Sequence, residues 1–239
     1  MENDFLLVGL IFLFASFTQG YAGFAFQLIS LSLLSFVWNI NDAIPVCAMF
    51  GLVINIYVTY KMRTHISFRA VKPLIISALF GIPIGIYLLM IVNIEIIRIS
   101  LGTLIILFVA ISVFNLDTKI NLNVKWRYFF GLTSGILGGA FNTNGPPILI
   151  YLWLSKVNAY QFKAMISTFF LFSSSAIVAG HFAAGISTQA TLVLFLKFIP
   201  FILIGQFAGV RLFQSVDSKY YSKFILFLLL LISIKLLFS

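Results

Sequence analysis

Apolar residues fall in long blocks separated by short polar punctuation. Ten blocks can be read, at about 5–19, 24–37, 43–60, 73–92, 96–114, 128–141, 147–155, 164–183, 190–213 and 222–238. Crossing ~30 Å of hydrocarbon at 1.5 Å per residue takes about 20 helical residues, with ~17 as a floor. The second and seventh blocks fall well short, and the first and sixth are marginal. In both short pairs the joint is a glycine-rich break, not a charged loop. The pattern therefore predicts that 5–37 and 128–155 are re-entrant helical hairpins, each entering the membrane and returning to the same side. Three full spans follow each hairpin: 43–60, 73–92 and 96–114, then 164–183, 190–213 and 222–238.

The two halves repeat. A shift of 119 places Gly20 on Gly139, Ile29 on Ile148, Leu33 on Leu152 and Asn39 on Asn158. After a five-residue insertion, a shift of 124 places Gly81 on Gly205, Gly85 on Gly209, Leu88 on Leu212 and Val92 on Val216. Each half has an odd number of crossings, so the second lies upside down relative to the first. The expected fold class is an all-α integral membrane protein of two inverted repeats, 1–120 and 121–239, each a re-entrant hairpin plus three transmembrane helices. Inverted repeats with broken helices meeting near the midplane are a recurring transporter plan.

The breaks carry the chemistry. In Asn142-Thr143-Asn144-Gly145-Pro146-Pro147, glycine and two prolines cannot continue a helix, and the residue before a proline is pushed out of the α region. A new helix starts with proline in its first turn and Asn144 just ahead as a cap. Its unpaired N–H groups and positive dipole end face the break, which is how a helix terminus comes to hold an anion. Irregular backbone survives inside lipid only where it is packed in protein or lines a cavity.

Composition and charge fix the class and the orientation. With 62% apolar and 9% charged residues, the chain uses the bilayer as its solvent. Its net charge of +9 sits in short loops between apolar runs, which is membrane topology and not nucleic-acid binding. With the termini outside, twelve of the 15 Lys and Arg fall at cytoplasmic ends, leaving Arg98, Lys197 and Lys235. A multi-pass protein of the cell (inner) membrane is expected. The amino terminus lacks a basic n-region and carries Glu2 and Asp4, so it reads as a mature segment. A single cysteine, Cys47, excludes an internal disulfide and a multi-cysteine metal site, and reads as packing. No metal, cofactor or catalytic residue is expected. The sequence holds no His-Glu-x-x-His, nucleophile elbow, P-loop or paired carboxylates on one apolar face, which argues against an enzyme. The six acids lie at termini, loops or span ends.

Two segments carry a family resemblance. Gln19-Gly20-Tyr21-Ala22-Gly23-Phe24-Ala25-Phe26 and Gly138-Gly139-Ala140-Phe141-Asn142-Thr143-Asn144-Gly145-Pro146-Pro147 resemble the paired glycine-rich signatures of the TauE/SafE family of sulfite and organosulfonate exporters. With the duplicated layout, the resemblance covers essentially the whole chain and implies export of a small sulfur-containing anion. Two positions depart from it: Ala25 and Asn142 stand where the family often has glycine.

Read bottom-up, the breaks fit such a substrate. Two hairpins entering from opposite faces bring together the starts of the helices near Phe24 and Pro146-Pro147. Gly20, Gly23, Gly139 and Gly145 would expose backbone N–H, while Thr18, Gln19, Gln27, Asn142, Thr143 and Asn144 supply neutral donors. Such donors suit sulfite or a sulfonate, and neutral groups bind weakly enough to release. The alternative is that the small residues only let helices pack closely. That is the favoured reading for Gly81 with Gly85 and for Gly205 with Gly209, spaced i, i+4, with Gln206 as an outside candidate for the pathway. Ser173, Ser174 and Ser175 either line a cavity or bond back to helix carbonyls. Lys197 either attracts anions at the outer mouth or snorkels to the interface, and His181 reads as interfacial. A transporter of another small solute, or a non-transporting subunit of a membrane complex, are the competing functions. The expected partners are the anion and the lipid bilayer; the sequence sets no oligomeric state.

Overall fold

The computed structural model describes residues 5–91, 124–155 and 159–213, with single positions between 93 and 110 and Val157, Leu230 and Ile234. Most of the predicted third span of each half, 96–114 and 222–238, lies outside the described residues. The helices are α1 (Phe5–Ala22), α2 (Phe26–Leu34), α3 (Ile40–Met62), α4 (Phe68–Ile91), α5 (Val124–Phe141), α6 (Gly145–Leu154), α7 (Ala159–Ala183) and α8 (Gln189–Phe213), and there is no strand among the described residues. Five helical stretches are long and apolar enough to cross a bilayer: Phe5–Ala22, Ile40–His65, Phe68–Ile91, Gln161–Ala183 and Gln189–Phe213.

Helix α1 outruns the apolar block 5–19. Thr18 satisfies its hydroxyl on the Phe14 carbonyl at 2.9 Å, and Gly20 fits against α8, so the helix carries on to Ala22 before it breaks. Its 18 residues reach about 27 Å, close to a full crossing, whereas the nine of α2 reach only about 14 Å. Helix α3 starts under a side-chain cap, Asn39 accepting from the Asn41 amide at 3.0 Å. Helix α5 begins earlier than the block at 128, taking in Lys125, Trp126 and Arg127; Arg127 Nε donates to the Tyr151 hydroxyl at 3.0 Å.

The repeat is visible in element boundaries. Helices α5, α6 and α7 begin at Val124, Gly145 and Ala159, each 119 residues after α1, α2 and α3 at Phe5, Phe26 and Ile40. The packing repeats as well, in exchanged form: α1 lies along α8, and α5 lies along α4. Gly205 and Gly209 meet the α1 backbone at Leu13, Phe17 and Tyr21, as Gly81 and Gly85 meet the α5 backbone at Leu132, Ile136 and Ala140. These are the small-residue pairs whose spacing predicted close approach. Helices α3 and α7 pack against each other between the hairpins.

An aromatic core of Phe12, Phe26, Trp38, Phe50, Phe195 and Phe198 ties α1, α2, α3 and α8, with Phe12 to Phe50 at 4.8 Å. Leu79, Phe80 and Tyr87 of α4 and Leu203, Ile204 and Phe207 of α8 remain exposed, an apolar surface for lipid.

Candidate functional site

Both breaks depend on backbone that side chains rarely adopt. Gly23 has φ 85° and Asn142, its counterpart at the same shift, has φ 54°; Ala25 also has φ 85°. Among the described residues, the two non-glycine residues in the left-handed region are the two that depart from the family's glycines. Asn tolerates that conformation, while alanine pays a steric cost of about 1–2 kcal/mol.

Ala25 supplies no side-chain cap to α2. The cap comes from α1, where Gln19 Oε1 accepts from the Phe26 amide at 2.8 Å. Gln19 Nε2 donates to Asn55 Oδ1 at 3.2 Å, and Asn55 Nδ2 donates to Ser174 Oγ at 3.3 Å. This chain links α1, α2, α3 and α7 through fully buried groups. Asn55 and Ser174 are themselves 119 residues apart, so equivalent positions of the two halves bond to each other. In the second break, Asn144 Nδ2 donates to Ser173 Oγ at 2.6 Å, and the Asn144 carbonyl accepts from Ser134 Oγ. Of the two readings of the serines, the structure shows bonding back: Ser173, Ser174 and Ser175 donate to the Phe170 and Leu171 carbonyls, and the first two also accept from the asparagines.

The helix starts converge on one small cavity. It is lined by Phe24, Ala25, Gln27 and Leu28 from the first break, by Asn142, Thr143, Asn144, Gly145 and Leu149 from the second, and by Phe170 of α7. Its free volume is about 10 Å³, room for one water. Asn142 Nδ2 and Thr143 Oγ1 are buried and make no hydrogen bond among the described residues. Of the predicted site residues, Phe24, Gln27, Asn142, Thr143, Asn144 and Gly145 therefore share one wall. The others face elsewhere. Thr18 and Gln19 are bonded as above. A methyl group on Gly20 would lie 2.6 Å from the Gln206 carbonyl, and one on Gly139 would meet the Ile82 carbonyl, so both serve close packing. Gly23 lies under the Lys163 side chain, and Pro146 is buried off the cavity lining.

Three further polar residues are buried. His181, expected at the interface, is fully buried with neither ring nitrogen hydrogen-bonded among the described residues. Gln206 is buried with both amide atoms unpartnered among the described residues, beside an apolar groove of about 230 Å³ between α3 and α8. Lys163, counted among loop charges, is only 4% exposed. Its Nζ donates to the Gly20 and Tyr21 carbonyls at 3.1 and 3.4 Å and lies 3.6 Å from the Phe213 ring centroid. The apolar block was begun at Ala164, one residue too late to see that this lysine belongs to α7. Asn55 was also passed over, although a lone asparagine within Val53-Ile54-Asn55-Ile56 was signal enough.

Compared with known families, the chain matches the one described as Sulfite exporter TauE/SafE over residues 8–236. The chain belongs to the TauE/SafE family. No curated protein and no solved structure matches it. TauE/SafE proteins are membrane transporters of sulfur anions, so the helices that are long and apolar enough to cross belong to a multi-pass transporter. Both breaks, and the cavity between them, lie inside the matched region.

Proposed function

We propose that the chain exports a small sulfur-containing anion, sulfite or an organosulfonate, across the cell membrane, and that the cavity between the two helix breaks is its binding site. The observation that carries this reading is the pair of unpaired buried groups, Asn142 Nδ2 and Thr143 Oγ1, on a wall shared by the starts of α2 and α6. A buried donor without a partner costs about 1–3 kcal/mol, and an oxyanion would relieve that cost. The α6 start adds backbone N–H and the positive end of its dipole. The cavity has room for one water, so on this reading binding sulfite requires the two breaks to move apart. Opening requires the two breaks to separate on one side at a time, which suits two halves of opposite orientation rocking about α3 and α7.

The binding residues on this reading are Gln27, Asn142, Thr143, Asn144 and Gly145, with Phe24 closing the inner wall. Gln19, Gly20, Gly23 and Gly139 hold the breaks in shape. The termini face outside, following the count of basic residues.

The test is purified protein in liposomes loaded in turn with sulfite, thiosulfate, sulfoacetate, taurine and sulfate. Efflux of sulfite or a sulfonate above that of empty vesicles, lost in Asn142→Leu, is the expected result. Equal efflux from protein-free vesicles for every solute would refute the proposal.

A further inference from the structure

One face of α7 runs past both breaks. Lys163, Ser167, Phe170, Ser174, Ile177 and His181 follow each other at spacings of three or four residues, one stripe down the helix, and all are buried. At the amino-terminal end the Lys163 stem lies across Gly23, its Cγ 3.3 Å from where a side chain on that glycine would begin. The next residue, Phe24, lines the cavity, as does Phe170 two turns along α7 from the lysine. Toward the other end, Ile177 touches Gly138 of the second break.

Among the described residues, Lys163 is a buried cation with no acid beside it. The acids among the described residues, Asp42 and Glu95, are both exposed. Two carbonyl oxygens and an aromatic ring take up part of the ammonium's demand. An ammonium has three donors, and two are assigned here. A buried charge is ordinarily paired, because burial without a partner is costly. The break beside it is also where the proposed site begins.

We propose that Lys163 is the charge partner of the transported anion at the α1 end of the cavity: the substrate supplies the negative charge that none of the described residues brings to it. On this assignment Lys163 selects for anions over neutral solutes of the same shape, and its two carbonyl bonds park the ammonium between transport cycles. Position 44, the counterpart in the first half, is Ile44, so the charge belongs to one side of the site alone. This assignment rests on the proposed transport of sulfite or a sulfonate.

The experiment compares wild type, Lys163→Arg, Lys163→Gln and Lys163→Met in liposomes, measuring initial rate against internal sulfite concentration, with melting temperature recorded for each. The expected result is a half-saturating concentration at least tenfold higher in Lys163→Gln and Lys163→Met, a smaller change in Lys163→Arg, and melting within a few degrees of wild type for Lys163→Gln. Wild-type kinetics in Lys163→Gln would overturn the assignment and leave Lys163 as a cap on α1, even if Lys163→Met fails to fold. Sulfite flux absent from wild type itself would instead sink the transport reading, together with everything built on it.

Discussion

The bond chain from Phe26 through Gln19 and Asn55 to Ser174 can be dissected by a double-mutant cycle. Gln19→Leu removes two hydrogen bonds, orphaning the Phe26 amide and Asn55 Oδ1. Buried side-chain hydrogen bonds inside membrane proteins average ≈ 0.6 and reach about 1.7 kcal/mol. An orphaned buried group in water-soluble proteins costs about 1–3 kcal/mol, so ~1 kcal/mol per bond is a fair working value and Gln19→Leu should lose about 2 kcal/mol. Asn55→Leu also removes two bonds, to Gln19 and to Ser174, and should lose about 2 kcal/mol. The pair share one bond, so the double variant loses three bonds, about 3 kcal/mol, with a coupling of about 1 kcal/mol. Equilibrium unfolding in mixed micelles titrated with SDS, followed by tryptophan fluorescence, resolves that coupling. Additivity of the two single losses to within ~0.3 kcal/mol would mean that Gln19 and Asn55 do not act on each other.

Three further outcomes are expected. Ala25→Gly relieves the left-handed strain at φ 85° against the larger entropy of glycine, for a net gain of roughly 0.5–1 kcal/mol in the same titration, whereas Ala25→Val loses stability. Gly20→Ala and Gly139→Ala each drive a methyl into a neighbouring helix backbone and should cost about 1–3 kcal/mol, read as a fall in folded yield before any change in flux per folded molecule. Ser67 is exposed between the short helix Arg63–His65 and α4, so Ser67→Cys should resist an impermeant maleimide in intact cells and react once the membrane is opened; efficient labelling from outside would invert the orientation.

The breaks were legible because they are made of residues with few conformations to choose from. Gly145-Pro146-Pro147 can only end one helix and begin another, and α6 does begin at Gly145. The repeat was legible because glycine leaves the same mark wherever two backbones must touch, as at Gly85 and Gly209. What a glycine faces was not legible. Gly20 and Gly139 looked like openings for a ligand, but a sequence does not say which side of a helix its neighbour will occupy. Gln19 was read as a donor to substrate because the partners for its amide, Phe26 and Asn55, are seven and 36 residues away. Lys163 was hidden by its neighbours, since a lysine shortly after Lys156 and Asn158 looks like the end of a loop until the helix beneath it is known.

The exchanged packing of the hairpins has a consequence for synthesis. Helix α1 is translated long before α8, and the groove around its Gly20 is filled by Gln206, Gly209 and Val210 of α8. Until those residues are translated, the first hairpin has only its own half to lean on. Helix α4 waits in the same way for α5, but for a much shorter stretch of translation. Assembly of the first break is therefore late, gated by the arrival of α8. A nascent chain stalled before residue 200 would hold a complete α4–α5 pair while the face of α1 that packs on α8 lacked its partner.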